Sequence, residues 1–596
     1  FGSSLGPSLQ IPHRGLSACT GCRQEVDEAL VGPALLRNFG QAKPMGAAIG
    51  KSSSKGLDGV TKRCESRVGK IQITGRYHRL PKKLEDDYIL STKVLGSGYN
   101  GQVFLATSKT SHEHVAVKGF KLTGVTADKK EELETECEIF LAMDHPHVAR
   151  LTDVYESGDQ LNLVMECMSG GELFKRVVER KRYSERDAAD AAHQMLLAVN
   201  YIHSHGICHR DIKLENFLYE REDSSHLKLI DFGFSKIWEP DSKMALSCGT
   251  LAYVAPEVLA HNYTSQCDMW SLGVTIFIVL FGYMPFSGSE KEQVRRINAG
   301  QYTRKKEVWK HVSQKAQDFV TKLLVVNQEV RMTADQALSH EWITGREKIK
   351  PEVLDENIVN ALCSFGQASA FRKACMSMVA WSLTNDERAK VRDAFLELDI
   401  EGTGTIKLSE FKKVLEDKFH LSDENIEAAF KALDTNHTDE IYYTEFLAAM
   451  VSSRIQIHDN LLKAAFRRFD VDNSGFISLD NLRTVLGESF EGGEVEEMLQ
   501  EADVSGDNEI SYEEFIQYIK GSSAKATHAQ AAEKVIETEL MKTGENAGRN
   551  RPVRGKSTEG NEQSDAGQAA SDGQASQETA RKSNGNKAKS AGCSVM

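Results

Sequence analysis

The stretch His209-Arg210-Asp211-Ile212-Lys213-Leu214-Glu215-Asn216 decides the fold of this chain of 596 residues. A carboxylate and an amide five residues apart in this setting suit the transfer of a phosphoryl group. The carboxylate can accept a hydroxyl proton, and the amide can hold a magnesium ion. We assign the first role to Asp211 and the second to Asn216.

A second motif, Asp231-Phe232-Gly233, follows the apolar run Leu227 to Ile230, which is typical of a strand. This position allows Asp231 to bridge nucleotide phosphates through magnesium. Further motifs follow in chain order: Ala255-Pro256-Glu257, Asp268-Met269-Trp270-Ser271-Leu272-Gly273 and Arg331. The series as a whole predicts a phosphoryl-transfer site.

Upstream of these motifs, residues 96–103 read G-x-G-x-x-G-x-V between strand-like runs at Tyr88 to Val94 and Val103 to Thr107. Glycines let backbone amides approach phosphate oxygens closely. A dinucleotide-binding loop has similar glycines, but it opens a helix, whereas this loop re-enters a β run. We therefore expect the loop to cover the phosphates of a nucleotide.

The next strand-like run, His114 to Phe120, contains Val115-Ala116-Val117-Lys118. We expect the ammonium of Lys118 to hold the α and β phosphates. Glu136 lies on an amphipathic segment, where its carboxylate could pair with that ammonium.

In this order the motifs resemble the eukaryotic protein kinases, over about residues 87–342. The resemblance implies an α+β bilobal fold. Lys213 and Gly249-Thr250 resemble the serine/threonine branch. The catalytic residues that it implies are Lys118, Glu136, Asp211, Lys213, Asn216 and Asp231, the last two as magnesium ligands. The residues that it assigns to the ATP site are Leu95, Gly96, Ser97, Gly98, Tyr99, Asn100, Gly101, Gln102, Val103, Ala116, Lys118, Met165, Glu166, Met168 and Glu172.

The same resemblance makes Met165 the bulky gatekeeper of the adenine pocket. It also implies that Glu172 and Glu215 meet Arg or Lys before the target residue of a protein substrate; the alternative is that both carboxylates are merely exposed. Where many relatives carry a phosphorylated threonine, this chain has Leu246, with Ser242 and Ser247 out of register.

Four loops between Asp399 and Glu514 fit the EF-hand pattern, in which oxygen ligands at fixed positions surround calcium. They begin 35, 36 and 33 residues apart, and each has an Ile at position 8 that in EF-hands pairs two loops. The predicted ligands are Asp399, Glu401, Thr403, Thr405 and Glu410; Asp434, Asn436, Thr438, Glu440 and Glu445; Asp470, Asp472, Ser474, Phe476 and Ser478; and Asp503, Ser505, Asp507, Glu509 and Glu514.

The loops depart from the pattern at four positions. Lys407 offers no oxygen, and Asp439 and Asn508 replace the turn glycine, although Asn tolerates positive φ. In the third loop Asn481 replaces the bidentate glutamate, so we expect that site to be the weakest or to favour magnesium.

A kinase followed by a connector and two EF-hand pairs resembles the calcium-dependent protein kinase family, over about residues 87–519. That family places an autoinhibitory segment in the connector. Here Phe371, Cys375 and Met378 share one helical face beside Arg372 and Lys373, like a calmodulin-type target helix. The alternative is an ordinary packing helix.

The overall composition argues against several other kinds of protein. The net charge of −13 argues against a nucleic-acid partner. The 11 cysteines form no repeating framework, and no apolar run has the length of a membrane helix, which fits a reduced, intracellular, cytoplasmic setting. The Cys19 and Cys22 pair has no second half of a zinc site.

Both ends of the chain lack the periodicity of a packed core, so we expect disordered extensions. Translation could begin at Met45, which would make Gly46 a myristoylation site, and Cys593-Ser594-Val595-Met596 resembles a prenylation box behind a basic patch. Two lipids would hold the protein peripherally on a membrane. The expected divisions are 1–85 extension, 87–342 kinase, 343–386 junction, 387–452 and 453–519 EF-hand pairs, and 520–596 tail.

The sequence thus predicts a serine/threonine kinase that uses ATP and Mg²⁺ and is held off by its junction until Ca²⁺ fills the EF-hands. Two alternatives stay open at this stage: a calcium-sensing adaptor on an inactive kinase domain, and a constitutive kinase with structural EF-hands. The intact Lys118, Asp211, Asn216 and Asp231 argue against the adaptor.

Overall fold

The computed structural model describes residues 57–98, 101–180, 183–237, 244, 250–346, 354–419, 421–451 and 454–521. Several predictions fall outside these residues: the tail except for residues 520 and 521, the lipid sites Gly46 and Cys593, the candidate start Met45, and the Cys19 and Cys22 pair. Within the described part of the chain, no helix combines the length and the apolar character needed to cross a membrane.

The described residues begin with a folded segment before the kinase motifs. Its elements are α1 (Asp58–Val68), α2 (Lys70–Thr74), β1 (Tyr77–Arg79) and α3 (Leu84–Asp87). The prediction that no packed core exists in residues 1–85 is therefore wrong for residues 57–85. Four apolar residues at helical spacing are buried in the kinase core: Leu57, Val60, Cys64 and Val68. The average composition of residues 1–85 did not reveal this spacing.

The N-lobe is a six-stranded sheet with one long helix. Its elements are β2 (Tyr88–Gly98), β3 (Gly101–Ser108), β4 (His114–Lys121), α4 (Ala127–Ala142), β5 (Leu151–Ser157) and β6 (Gln160–Glu166). The strand order is β1-β5-β6-β4-β3-β2, with β1 parallel to β5 and the other pairs antiparallel. All three strand-like runs predicted here form strands.

The C-lobe is mostly helical. Its helices are α5 (Leu173–Arg180), α6 (Glu185–Ser204), α7 (Pro256–Leu259), α8 (Gln266–Phe281), α9 (Glu290–Asn298), α10 (Lys306–Trp309), α11 (Gln314–Leu323), α12 (Ala334–Leu338) and α13 (Glu341–Thr344). Its short strands are β7 (Ile207–Cys208), β8 (Phe217–Tyr219), β9 (Leu227–Leu229) and β10 (Lys236–Ile237). Helix α8 lies in the core. Arg331 is also buried and forms an ion pair with Glu257 on α7, with N–O distances of 2.5 and 3.0 Å.

The junction and the EF-hand region follow. Their helices are α14 (Glu356–Gly366), α15 (Ala370–Ser382), α16 (Asn385–Leu398), α17 (Leu408–Phe419), α18 (Asp423–Leu433), α19 (Tyr443–Met450), α20 (Asp459–Phe469), α21 (Leu479–Leu486) and α22 (Val495–Ala502), and residues 512–521 are also helical. The strands are β11 (Ile406–Lys407), β12 (Glu440–Ile441), β13 (Ile477–Ser478), β14 (Ser489–Phe490), β15 (Gly493–Glu494) and β16 (Glu509–Ile510).

The pairing of the EF-hand loops is confirmed. Ile406 lies opposite Ile441, and Ile477 lies opposite Ile510, each in a short antiparallel contact. These isoleucines are fully buried, so each contact joins two loops through the core of its pair. The predicted fold class, a bilobal kinase followed by four EF-hands, is confirmed.

Candidate functional site

The side chains predicted to bind the nucleotide meet between the two lobes. Strand β4 carries Lys118, whose Nζ lies 2.5 Å from Glu136 Oε1 on α4 and 3.2 Å from Asp231 Oδ1. Lys118 and Glu136 are both buried. The predicted pair therefore forms, and the ammonium also reaches the aspartate of the Asp-Phe-Gly motif.

The charges of this cluster stabilise one another. Burial by itself disfavours the ammonium of Lys118, but the carboxylates of Glu136 and Asp231 outweigh it, and its pKa is raised. Burial likewise disfavours the carboxylate of Asp231, but Lys118 outweighs it and lowers the pKa of Asp231. Both groups are thus held in the charged forms that bind phosphate and a metal ion.

The predicted proton acceptor, Asp211, sits in a network of donors. Its Oδ2 accepts a hydrogen bond from Lys213 Nζ at 2.5 Å, and its Oδ1 accepts one from Thr250 Oγ1 at 3.4 Å. Asn216 Nδ2 donates to the carbonyl of Asp211 at 2.7 Å. This bond orients the amide through its nitrogen and leaves Asn216 Oδ1, an oxygen of the kind that magnesium prefers, as the possible ligand.

Asp268 on α8 holds the loop that carries Asp211. Its two carboxylate oxygens accept the backbone N–H groups of His209 and Arg210, each at 2.8 Å. Asp268 is fully buried, and burial would raise its pKa, yet the hydrogen bond from His203 and the other donors lower it. The sequence marked this residue only as part of a motif; its role in positioning the catalytic loop comes from the structure.

The glycine-rich loop joins β2 to β3, and Gly98 pairs with Gly101 at its tip. Tyr99 and Asn100, two of the predicted nucleotide contacts, lie outside the described residues. Ala116 pairs with Met165, the predicted gatekeeper, across β4 and β6.

The carboxylate of Glu166, a residue also assigned to the ATP site, forms ion pairs with residues outside the predicted site. It forms ion pairs with Lys228 at 2.6 Å and with Arg388 on α16, and it accepts a hydrogen bond from Arg150 N at 2.8 Å. Burial would raise its pKa, but Lys228 and Arg388 outweigh it, and the pKa of Glu166 is lowered. Its side chain therefore links the hinge to the EF-hand region.

The predicted substrate-side carboxylates are neighbours. The pKa of Glu172 is raised, first by burial and then by the negative charge of Glu215. Two carboxylates that repel each other are both stabilised by a cationic side chain placed between them. Leu246, Ser242 and Ser247 lie outside the described residues.

In the first two calcium loops the carboxylates at positions 1 and 12 are buried. Glu410, at position 12 of the first loop, accepts backbone N–H groups from Glu401 and Lys407 at 2.8 and 2.9 Å. Glu445 does the same in the second loop, with Asn436 and Tyr442 at 3.1 and 2.9 Å. Burial raises the pKa of Asp399 to about 7 and that of Glu445 to about 8, because it removes water from the charged form, and the neighbouring carboxylates Glu410 and Asp434 raise these pKa values further.

The last two loops are more exposed than the first two, and they differ from each other at position 12. Glu514 accepts N–H groups from Ser505 and Ser511 at 2.8 and 2.9 Å, and these donors outweigh burial and lower its pKa to about 2. In the third loop Asn481 accepts one such bond, from Ser478 N at 3.4 Å. The oxygen ligands of the first, second and fourth loops fit calcium. The third loop offers one carboxylate fewer, because Asn481 stands at position 12.

The turn position of every loop adopts a left-handed backbone. The φ angles are 81° at Gly404, 64° at Asp439, 89° at Gly475 and 65° at Asn508. The two replacements of glycine noted in the sequence are therefore accommodated without changing the course of the loop, since Asp and Asn tolerate this region.

The first EF-hand pair lies directly on the kinase. Asn200 Nδ2 donates to the carbonyl of Gly402 at 2.8 Å, and Thr444 N donates to Asp144 Oδ2 at 2.7 Å. A Cβ on Gly404 would lie 2.4 Å from the Tyr201 ring, so only glycine fits this approach. These contacts join residues more than 200 positions apart, which local sequence patterns could not reveal.

The junction helix α15 is enclosed by the EF-hand region. Phe371, Cys375 and Met378, the predicted apolar face, are fully buried in its core. Lys373 forms an ion pair with Glu491 at 3.1 Å, and Arg372 donates to the carbonyl of Ile519 at 3.2 Å.

The far end of α15 contacts the kinase. Trp381 is packed between two guanidinium groups, with Arg76 and Arg150 at 3.6 and 3.9 Å from its ring centroid. Arg150 also donates to Ala380 O at 3.1 Å and to Thr444 Oγ1 at 2.5 Å. No short motif in the sequence marks Arg76 or Arg150.

Comparison with known proteins agrees with this architecture. The protein kinase domain model matches residues 89–343, and the EF-hand domain pair model matches residues 388–451 and 459–520. Calcium-dependent protein kinase 3 of Plasmodium berghei (strain Anka) is 33% identical over 454 residues, which are 73% of this chain and 81% of that protein. Calcium-dependent protein kinase 7 of Arabidopsis thaliana is 34% identical over 465 residues, covering 76% and 87%.

The fold and the site define a protein kinase joined to calcium-binding EF-hands, and the relatives agree in both halves. Calcium-dependent protein kinase 3 of Oryza sativa subsp. japonica is also 33% identical, over 73% of this chain and 81% of its own length. The chain belongs to the calcium-dependent protein kinase family. It is a calcium-regulated serine/threonine protein kinase that uses ATP and Mg²⁺.

Proposed function

We propose that calcium activates this kinase by holding helix α15 inside the EF-hand region, away from the substrate cleft. One observation carries the proposal: Phe371, Cys375 and Met378, the face that would block a cleft or bind an EF-hand groove, are buried among the EF-hand helices. A helix held there is not available as an inhibitor. Filled EF-hands expose an apolar groove, and α15 is the occupant that fits it.

In the proposed reaction, Asp211 accepts the proton of the substrate hydroxyl as that oxygen attacks the γ-phosphorus of ATP and the bond to the β-phosphate oxygen breaks. Lys213, 2.5 Å from Asp211, orients the carboxylate and stays close to the transferred group. Lys118 binds the α and β phosphates, and Glu136 keeps its ammonium in place. Asp231 and Asn216 would hold magnesium, which neutralises phosphate charge when bound.

Calcium ligand variants test which loops act as the sensor. Asp399→Ala and Asp434→Ala each remove a carboxylate at position 1, so the calcium concentration for half-maximal peptide phosphorylation should rise about tenfold or more. Asp417→Ala, on α17 next to the first loop but outside its ligand set, is the matched control. An unchanged midpoint in both ligand variants would exclude the first EF-hand pair as the sensor.

We further propose that the substrates are proteins with a basic residue before the target Ser or Thr. The mutual repulsion of Glu172 and Glu215 supports this, because a guanidinium would relieve it. In a peptide series with one Arg moved from position to position, one register should be phosphorylated fastest, and Glu172→Gln with Glu215→Gln should remove the preference. Equal rates at every register would contradict the proposal.

Lipid anchoring at Gly46 and Cys593 stays a prediction from the sequence, with peripheral membrane attachment as its consequence. Mass spectrometry of both ends of the protein from native cells measures it directly. A myristoyl mass on Gly46 and a prenyl mass on Cys593 are expected; unmodified residues would contradict it.

A further inference from the structure

Residues 57–79, here called the N-terminal segment, lie between helix α4 and the EF-hand region. On the α4 side, Arg63 and Arg67 are one helical turn apart on α1, and both form ion pairs with Glu138, at 2.7 and 2.8 Å. The Glu138 side chain is only 5% exposed, and the apolar face of α1 is buried beside it. A buried carboxylate held by two guanidinium groups fixes the two helices against each other.

Glu138 is two residues from Glu136, the partner of Lys118. Two residues of an α-helix differ by about 200° in direction, so these glutamates point to opposite sides of α4. Glu136 points to the nucleotide site and Glu138 to α1. Helix α1 therefore supports α4 from behind its catalytic face.

On the other side, α2 contacts the EF-hand region. Lys70 Nζ donates to Arg483 O at 3.1 Å, and Thr74 Oγ1 donates to Val485 O at 2.7 Å, both on α21. Gly69, with a φ of 88°, comes so close to the second calcium loop that a Cβ there would lie 2.9 Å from Asn436 Cβ. The segment thus touches both EF-hand pairs.

Arg76 joins the two sides directly. It is 1% exposed, and its Nη2 donates to Leu141 O near the end of α4 at 2.7 Å. Its guanidinium also stacks 3.6 Å from the centroid of Trp381 on α15, and Trp381 Nε1 donates to Gln72 Oε1 at 2.6 Å. Trp381 reaches this position from α15, whose apolar face is buried in the EF-hand region.

We propose that the N-terminal segment is a positioning element for the Lys118–Glu136 pair, and that its support of α4 depends on its contacts with the EF-hand region. The inference rests on the proposed function, because it takes the calcium-bound arrangement as the one that places Trp381 against Arg76. Calcium then does more than remove an inhibitor: it completes the support behind α4.

The first experiment removes the contact with α4. In the full chain at saturating calcium, Arg63→Ala with Arg67→Ala should lower kcat about fivefold or more, with the peptide KM within about twofold, because fewer molecules hold α4 in place. Lys62→Ala, exposed on the same helix, is the matched control. Arg63→Lys with Arg67→Lys keeps both charges and should recover most of the loss.

Amide hydrogen exchange separates positioning from general stability. In the double alanine variant, exchange should quicken in α1 and α4, while the four calcium loops keep wild-type rates. A kcat equal to that of the Lys62→Ala control would overturn the proposal. So would a lower kcat with unchanged exchange in α4.

The second experiment weakens the contact with the EF-hand region. Thr74→Val removes the hydroxyl that reaches Val485 and should raise the calcium midpoint about twofold to fivefold. Thr135→Val, whose hydroxyl donates to Glu131 O in its own helix, is the control. An unchanged midpoint would overturn the link to the EF-hands. A wild-type enzyme that ignores calcium would instead contradict the proposed function.

Discussion

Asp211 depends on its neighbours for its orientation. Lys213 and Thr250 donate to its two oxygens, and Asp268 holds the backbone before it. We predict that Asp211→Asn lowers kcat by about 100-fold to 10,000-fold, because the amide cannot accept the hydroxyl proton. Asp335→Asn, exposed on α12, is the matched control in the same peptide assay. Activity near the wild-type level would remove Asp211 from the mechanism.

Asn481 is the residue that weakens the third calcium site. We predict that Asn481→Glu restores the carboxylate present in the other three loops and tightens calcium binding at this site about tenfold or more. Isothermal titration with calcium measures it. Asn298→Glu on α9 adds the same charge to the kinase C-lobe and should leave the titration unchanged. Equal titrations for all three proteins would show that position 481 does not limit the site.

Residues inside contiguous motifs could be predicted from the sequence. Lys118 and Glu136 pair as expected from the motifs that contain them, and the structure adds the contact of Lys118 with Asp231. The ion pair between Glu166 and Arg388 could not be predicted. Arg388 is 222 positions away, and no local spacing connects a hinge carboxylate with an arginine on a calcium-loop helix.

At the level of secondary-structure elements, helix α15 has the contacts of a bound target helix. Phe371 is fully buried, and its ring lies 5.9 Å from Phe469 and 5.2 Å from Tyr518. The apolar spacing along 371–381 predicted the helix and its buried face. It could not distinguish an inhibitor from an ordinary packing helix, because both need the same pattern.

We predict that Phe371→Ala destabilises the EF-hand region by about 3 to 5 kcal/mol, since it leaves a cavity in that core. The calcium midpoint for activity should rise with it, because α15 is held less tightly. Thermal unfolding and a calcium titration of kinase activity measure the two effects. Phe476→Ala is the control, since its side chain is 42% exposed and only its main-chain carbonyl is a predicted ligand. If the variant loses the predicted stability but keeps the wild-type calcium midpoint, α15 has no part in activation.

Helices α1 and α2 are the elements that the sequence did not predict. Glycine, serine and basic residues dominate the window, and each helix is too short to be stable alone. Their stability comes from contacts with α4 and α21, which are distant in sequence. Tertiary packing therefore overrides a weak local signal.

In the whole molecule, the kinase and the EF-hand region are joined by charged and aromatic side chains. Arg468 on α20 donates to Asp153 at 2.7 Å, and Arg150 reaches both α15 and Thr444. The order of domains along the chain was predictable. The face on which the second half packs was not, because that face is set by contacts between distant residues.

We predict that a chain ending at residue 346 is active without calcium, at a rate above that of the intact enzyme in chelator. The junction that could block the cleft is gone. Its rate should stay below that of the intact enzyme with calcium, since Trp381 no longer supports Arg76. Peptide phosphorylation with and without calcium measures it, and circular dichroism checks folding. A folded fragment with an unchanged low rate would contradict release of an inhibitor.

The most direct test of calcium control is a calcium titration of peptide phosphorylation by the intact enzyme, with Asp211→Asn as the background. We expect a low rate in chelator and a rise of about tenfold or more as the EF-hands fill. Equal rates in chelator and in saturating calcium would contradict it.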